Sequence, residues 1–379
     1  MQIGEYPKEF RIIEGGPWWL PEPPFETAHE NPMHPLAEQL REKFKLDHVI
    51  EGGKTEFEKF LLLKEWVKRQ MRQHGWSFNC LKELPGNALE ILEYVEKGTL
   101  FHCLFHAKVF IQCCEALGYP ARLVGARTTN LEFPGERTGN VGHEISEVWS
   151  NEYRKWVLMD CDTNSYYEKG KIPLSISELC LEKHRDGGES VEMVFGEYRP
   201  SNSVDTGHGA KVLGTDRTPD EVRRSEKVFM HNRAIDYYSI VLVNNRHDVF
   251  SNRYKKPEIL SFAPEGIYPL LVYNNDPYVE SDLWTDDSRI FNWSVNEVAV
   301  DLKVLDNENS YPPLVASFKN SMPNFDRYEI STDGGASWKQ SSSVMRWELK
   351  EGKNRLWVCG VNTMGIRGPV SKAVVIYKE

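Results

Sequence analysis

The spacing of the apolar residues changes at Gly118-Tyr119-Pro120. From about residue 36 up to this point, apolar residues recur every three or four positions, which is typical of amphipathic helices. Beyond it, apolar and other residues alternate with period two, which is typical of strands. The chain is therefore predicted to form a group of helices followed by a group of strands.

The helical part contains a segment that ends in a clear stop signal. Residues 102–117 are predicted to form a helix with Cys103, Ala107, Phe110 and Cys114 on one apolar stripe. Gly118 lies just past its end and Pro120 follows, as expected for a helix C-terminus. Further predicted helices and strands are the helices 56–73 and 88–95 and the strands 121–126, 144–149 and 156–161.

Changes in composition divide the chain into four predicted regions. Residues 1–35 form a Pro/Trp-rich arm, expected to pack through its tryptophans, and residues 36–182 form the main core. Residues 183–295 are a charged insert with an aromatic-rich extension, partly packed on that core. Residues 296–379 carry roughly seven short strands, including a hairpin with its turn at Asp333-Gly334-Gly335, and predict an immunoglobulin-like or fibronectin-III-like β-sandwich.

Composition narrows the classes of function. The 379 residues include 46 Lys+Arg and 56 Asp+Glu, a formal net charge of −10, which argues against a general electrostatic grip on nucleic acid or anionic lipid. No apolar run approaches the ~20 residues that span a bilayer, and we expect no membrane span. The N-terminus shows no secretory-signal pattern. The compartment stays open, because free thiols favour a reducing one whereas a removed signal would make the protein extracytoplasmic.

Seven cysteines are distributed along the chain without any C-x-x-C pair, so the usual zinc-ribbon and thioredoxin signatures are missing. Cys103 differs from the others because it opens a predicted helix. Unpaired N–H groups at a helix N-terminus favour a thiolate and can stabilise an oxyanion. Taken alone, Cys103 fits a small buried thiol on the apolar stripe better than it fits a catalytic residue.

Two later residues complete a catalytic pattern. His143 begins one predicted strand and Asp160 ends the next. If this hairpin pairs Trp149 with Trp156 or with Arg154, the two side chains lie opposite or diagonal on one face, within reach of each other, whereas a slip of one residue would separate them. A thiol, an imidazole and an orienting carboxylate form the nucleophile–base–orienter set of amide chemistry.

Three segments together resemble the core of the transglutaminase-like superfamily. The first is Cys103-Leu104-Phe105-His106-Ala107, followed at family spacing by Gly118-Tyr119-Pro120-Ala121-Arg122. The second is His143-Glu144-Ile145-Ser146-Glu147-Val148-Trp149, and the third is Trp156-Val157-Leu158-Met159-Asp160. The resemblance covers about residues 56–180, less than half of the chain.

The resemblance implies an α+β fold with a papain-like core, in which helices pack on an antiparallel sheet. It implies Cys103 as nucleophile, His143 as general base and Asp160 as orienting carboxylate, with no cofactor. Two positions depart from the family pattern: Phe101 replaces a glycine before the nucleophile, and Cys161 replaces a proline after the aspartate. Trp76 is a weak candidate for the family's second oxyanion donor.

Several alternatives remain open. The hypothesis of an enzyme predicts a protein, peptide or glycopeptide substrate. Hydrolysis is favoured over crosslinking, because hydrolysis needs no second protein-binding site. Peptide:N-glycanase-like chemistry ranks lower because the paired C-x-x-C zinc site of that branch is missing, and a catalytically inactive scaffold is the rival class. Asp162 ranks second to Asp160 as orienter. His102 and His106 have the i, i+4 spacing of zinc ligands, but we expect no metal there.

Overall fold

The computed structural model describes residues 10–20, 22–23, 27, 29–127, 142–198, 240–244, 250, 259–266, 283–304 and 314–378. These residues group into two compact units. The β unit comprises the described residues of 1–22, 151–154 and 293–379, and the core unit those of 23–150 and 155–292. The predicted division into four regions stays a prediction.

The helices precede most of the strands of the core unit. The described helices are α1 (Pro35–Lys43), α2 (Leu46–Ile50), α3 (Glu56–Met71), α4 (Ala88–Glu96), α5 (Cys103–Ala116), α6 (Ile176–Asp186) and α7 (Ser288–Phe291), with a short 3-10 turn at Ser77–Cys80. Within the described residues, none of these helices is long and apolar enough to cross a membrane.

Local signals explain where the main helices begin and end. Thr55 caps α3: its hydroxyl oxygen accepts a hydrogen bond from the Glu58 N–H, and the Glu58 carboxylate accepts one from the Thr55 N–H. At the other end of the helical region, α5 ends at Ala116, and Gly118 just beyond it has a φ of 86°, which is readily available to glycine. Helix α5 packs against α1, α3, α4 and the sheet and is therefore buried along most of its length.

The described strands of the core unit form two sheets. The larger has the order β10-β9-β8-β2-β3-β4 and is antiparallel except for the β10–β9 pair. Its strands are β2 (Ala121–Arg127), β3 (Gly142–Ser150), β4 (Lys155–Met159), β8 (Ile240–Asn244), β9 (Ile259–Phe262) and β10 (Leu283–Thr285). A smaller sheet is built from β5 (Ser165–Lys169), β6 (Ile172–Pro173) and β7 (Glu192–Phe195).

The β3–β4 hairpin has one of the two registers that bring His143 and Asp160 to the same face. Trp149 pairs with Trp156, and the ladder continues as far as Ser146 opposite Met159. Helices packed on an antiparallel sheet confirm the α+β class. One arrangement was not predicted: β8 and β9 come from the region 183–295, yet they extend the core sheet beside β2.

The β unit contains two sheets that share one hydrophobic cluster, with members such as Val300, Leu314, Ile330, Leu356 and Val375. One sheet has the order β1-β17-β16-β13-β14 and the other β11-β12-β15. The strands are β1 (Phe10–Gly16), β11 (Val298–Val304), β12 (Leu314–Asn320), β13 (Phe325–Ser331), β14 (Lys339–Ser341), β15 (Val344–Trp347), β16 (Gly352–Asn362) and β17 (Ser371–Tyr377). A β-rich C-terminal region is thus confirmed.

Two details of the β unit differ from expectation. The second strand of the predicted hairpin begins at Lys339 and not at Ala336, because Asp333 accepts a hydrogen bond from the Ser337 N–H at 3.0 Å and holds the loop. In the N-terminal arm, Trp18 packs against the hydrophobic cluster as expected, whereas Trp19 is 71 % exposed.

Candidate active site

Cys103 is the first residue of α5, as the sequence predicted. The preceding residue, His102, caps the helix, because its Nδ1 accepts a hydrogen bond from the Leu104 N–H at 3.2 Å. An acceptor Nδ1 requires a neutral ring, and burial together with the nearby His74 lowers the pKa of His102 to about 4. The Cys103 thiol is half-buried and lies 3.8 Å from His102 Nδ1.

His143 and Asp160 are in direct contact. The His143 Nε2, on β3, lies 2.7 Å from the Oδ2 of Asp160, the residue that directly follows β4. The register explains this contact, because it places the two side chains on one face and diagonal to each other. The other ring nitrogen, Nδ1, is left for the thiol.

A tight turn fixes the Asp160 carboxylate. Its Oδ1 accepts hydrogen bonds from the Asp162 N–H at 2.9 Å and the Thr163 N–H at 3.1 Å. Its backbone exchanges two hydrogen bonds with Ser165 at the start of β5. The Asp160 Oδ1 therefore accepts the hydrogen bonds of the turn, and the Oδ2 contacts His143.

The charges of this pair reinforce each other. Burial by itself would lower the pKa of His143, but the Asp160 carboxylate and the Cys103 thiol raise it well above its ordinary value. Burial likewise opposes ionisation of Asp160, yet His143 keeps the pKa of that carboxyl below its usual range. His143 is thus poised as an imidazolium beside a carboxylate at neutral pH.

A third group reaches the same place. The Cys103 Sγ, a ring nitrogen of His143 and a carboxylate oxygen of Asp162 lie within 4.8 Å of one another. Asp162 does not replace Asp160 at the His143 Nε2, because its own Oδ2 lies 2.6 Å from the His74 Nδ1. Its Oδ1 faces the buried His106 Nε2 at 3.7 Å.

Sequence reasoning missed the groups behind Asp162. Burial lowers the pKa of His106 to about 4, and the buried Lys68 donates its Nζ hydrogen bond to the Asp162 backbone oxygen at 2.5 Å. Although burial disfavours a charged Asp162, His106, His74 and Lys68 lower its pKa far below the usual range. His106 was singled out only for its i, i+4 spacing with His102, and no motif marks His74 or Lys68, since Lys68 lies on an ordinary amphipathic helix.

The three remaining candidates differ in burial. Phe101 is fully buried and packs on Phe78 and Phe105, with ring centroids 5.7 Å and 4.7 Å away, so its side chain serves as core. Trp76 is 56 % exposed and its ring lies 4.7 Å from that of His102, which is the neighbour of Cys103. Cys161 is buried.

Residues 45–161 match the family model of the transglutaminase-like superfamily. The chain therefore contains a transglutaminase-like core, and Cys103, His143 and Asp160 all lie within the matched residues. Among solved structures, that of red sea bream transglutaminase is similar at 11 % sequence identity, with a TM-score of 0.24, over 92 % of this chain and 72 % of that chain. The comparison with curated proteins found no match.

Proposed function

We propose that the core unit is a cysteine enzyme that acts on an amide bond of a protein, peptide or glycopeptide. The observation that carries this proposal is the 2.7 Å contact between His143 and Asp160, made beside a thiol at the start of a helix. A base oriented by a carboxylate and adjacent to a nucleophile is what acyl chemistry requires.

In the first step the Cys103 thiolate attacks the carbonyl carbon of the substrate. The carbonyl electron pair moves to oxygen, and the positive end of α5 stabilises the oxyanion. His143 then donates its proton to the leaving nitrogen as the carbon–nitrogen bond breaks. The amine departs, and the acyl group stays on Cys103 as a thioester.

In the second step His143 works in the opposite direction. The neutral imidazole takes a proton from the acceptor, which attacks the thioester carbon and releases the Cys103 thiolate. Asp160 stabilises the imidazolium that forms again and holds the ring with Nδ1 towards the sulfur. Water as acceptor gives a carboxylic acid, whereas an amine gives a new amide. We favour water, because hydrolysis needs no second protein-binding site.

The test compares the full chain with the variant Cys103→Ala on a peptide and glycopeptide library, with products identified by mass spectrometry. The exposed Cys80 supplies a matched control, Cys80→Ala. We expect the wild type and Cys80→Ala to convert the same substrates and Cys103→Ala to convert none. Parallel reactions with an added primary amine separate hydrolysis from acyl transfer, and glycan release identifies deglycosylation.

Equal product yields for wild type and Cys103→Ala on every substrate would refute the proposal. That outcome would support the rival class, a binding protein without chemistry at this site.

A further inference from the structure

We propose that Cys103, His143 and Asp162 form a binding site for a thiophilic divalent cation, Zn²⁺, and that the bound ion blocks the thiol and the imidazole. The binding itself is independent of the proposed amide chemistry, whereas the blocking effect rests on it.

The three donor atoms already lie close together. The Cys103 Sγ, a His143 nitrogen and an Asp162 oxygen are within 4.8 Å of one another, and all three residues are partly exposed. Tetrahedral zinc, with bonds of about 2.0–2.3 Å, holds its ligand atoms roughly 3.4–3.6 Å apart. Side-chain movements of about 1 Å would therefore close the site, and three protein ligands leave the fourth position for water.

Groups around the ligands hold them in orientations suited to a metal. The His143 Nε2 bonds the Asp160 Oδ2 at 2.7 Å, which leaves Nδ1 for the ion and gives the carboxylate–histidine–zinc arrangement common in zinc proteins. Asp162 is held in turn by the His74 Nδ1 at 2.6 Å, and its backbone oxygen by the Lys68 Nζ at 2.5 Å. The His143 and Asp162 side chains are therefore oriented by hydrogen bonds to neighbouring groups.

An independent observation points to a missing partner at Asp162. Its side chain is 9 % exposed, and its Oδ1 has no hydrogen-bond partner within the described part of the chain. The nearest group, the His106 Nε2 at 3.7 Å, likewise lacks one there. A buried carboxylate oxygen without a donor is costly, and a cation bound to the same carboxylate compensates for it.

Amide chemistry does not explain why Asp162 is placed beside Cys103. A carboxylate and a thiolate in one site repel each other, and neither the attack on a carbonyl nor the orientation of His143 needs this carboxylate, since Asp160 already serves His143. A divalent cation between the two groups turns that repulsion into attraction.

The donor set selects the ion. Calcium and magnesium prefer oxygen ligands throughout, whereas one sulfur, one nitrogen and one oxygen suit zinc. Cobalt(II) takes zinc sites of this kind and serves as the spectroscopic probe.

The experiment uses the untagged full chain after treatment with a chelator. Zinc affinity is measured by competition with a chromophoric chelator, and Co²⁺ is added to detect a cobalt–thiolate charge-transfer band. We expect one ion per chain with that band, loss of the band in Cys103→Ala, and zinc binding weakened at least tenfold in Asp162→Asn. Matched controls are Cys80→Ala and Asp47→Asn, which change exposed residues and should bind like the wild type.

A band that persists in Cys103→Ala, or unchanged affinity in Asp162→Asn, would overturn the proposal. A second measurement needs only the wild type and does not depend on the folding of a variant. Zinc should slow iodoacetamide labelling of Cys103 and leave labelling of Cys80 unchanged. Equal slowing at both cysteines, or none at Cys103, would also overturn it. These readings use the resting protein, so they hold even if no amide substrate is converted.

Discussion

Burial separates the thiols of this protein by reactivity. None of the seven forms a disulfide bond within the described residues, and burial raises the pKa of most of them, to about 12 for Cys180 and about 11 for Cys359. Cys80 is exposed, and Cys103 is half-buried beside an imidazole whose pKa is raised. Because the thiolate is the reactive form, the buried cysteines with a raised pKa are inert near neutral pH. The exposed Cys80 is therefore the reference to which Cys103 is compared.

We expect iodoacetamide at about pH 6 to label Cys103 faster than Cys80, because the Cys103 sulfur lies beside the His143 ring at the start of α5, an environment that activates a thiol. Labelling rates of the individual cysteines are measured by peptide mass spectrometry. The variant His143→Ala should slow labelling of Cys103 and leave Cys80 unchanged. Equal rates at Cys103 and Cys80 in the wild type, unaffected by His143→Ala, would contradict this arrangement.

Asp160→Asn should preserve the fold and remove most of the activity. An asparagine oxygen can still accept the Asp162 and Thr163 N–H groups, but its amide can no longer stabilise a charged His143. From comparable triads we expect a loss on the order of 10²- to 10⁴-fold in turnover. Steady-state kinetics and a thermal melt check this, with the exposed Asp301→Asn as control. Turnover within a few-fold of the wild type would exclude Asp160 as orienter.

At the scale of residues, the sequence predicts the positions of side chains that lie on one hairpin or at the start of one helix. Cys103, His143 and Asp160 are of this kind, because the helix start and the alternation along the strands place their side chains. His74 and Lys68 are not, since their contacts with Asp162 span 88 and 94 residues of chain. Lys68, moreover, is a buried cation on a helix whose pattern alone would leave a lysine solvated.

A buried ion pair ties the elements of the core unit together. Arg122 on β2 donates to the Glu147 Oε2 on β3 at 2.8 Å and to the Phe291 backbone oxygen at 2.9 Å. Glu147 also accepts the Ile176 N–H at the start of α6, at 2.6 Å. The guanidinium carbon lies 4.3 Å from the centroid of the Trp156 ring.

Arg122→Leu should therefore be strongly destabilising, because it leaves the Glu147 charge buried without its partner. We expect a loss of about 3–5 kcal/mol in the free energy of unfolding, measured by urea denaturation. The control Arg289→Leu removes an exposed arginine that pairs with Asp287, and its effect should be small. Similar losses in both variants would show that the buried network carries no special weight.

Helix α6 supplies a pH-dependent test. Burial raises the pKa of Cys180 to about 12 from an ordinary value of 9.0, although Lys183 opposes the rise. The folded protein thus keeps this proton to a higher pH than the unfolded chain does. The free energy of unfolding should consequently fall as the pH rises from about 9 to about 12.

Between pH 8 and pH 10 this one thiol should remove about 1 kcal/mol of stability. Cys180→Ala should lose correspondingly less over the same interval, as measured by urea denaturation at both pH values. The exposed Cys80→Ala is the control, with an expected loss like that of the wild type. An identical loss in Cys180→Ala and wild type would mean that Cys180 does not titrate with unfolding.

At the scale of elements, prediction succeeds where periodicity and end signals coincide. The predicted helix 102–117 and strand 121–126 correspond to Cys103–Ala116 and Ala121–Arg127. Strands Ile240–Asn244 and Ile259–Phe262 were not assigned, and their place beside β2 was not predicted. Short apolar segments do not reveal which distant strand they pair with, because pairing depends on tertiary packing.

For the whole molecule, the order of segments along the chain differs from their grouping in space. Residues 10–16, assigned from their neighbouring prolines and tryptophans to an arm, form β1 and pair with β17 at the other end of the chain. The pairing of β1 with β17 is not predictable from the local sequence, because an edge strand contacts one neighbour and no local signal identifies a partner more than 350 residues away.

This grouping predicts that β1 loses its protection together with the C-terminal strands. Leu356→Ala removes a fully buried side chain from the cluster shared by the two sheets of the β unit, at a cost of about 2–5 kcal/mol. In hydrogen exchange with mass spectrometry, peptides from 10–16 and 371–377 should then exchange faster together, because both belong to one cooperative unit. Peptides from 103–116, in the core unit, should keep their protection.

The exposed Val344→Ala is the matched control, since it shortens a side chain of the same unit that is 53 % exposed. It should leave exchange unchanged in all three groups of peptides. Faster exchange at 371–377 without any change at 10–16 would show that β1 opens independently. Faster exchange at 103–116 as well would show that the two units unfold as one, because a cavity in one cooperative unit lowers protection throughout that unit.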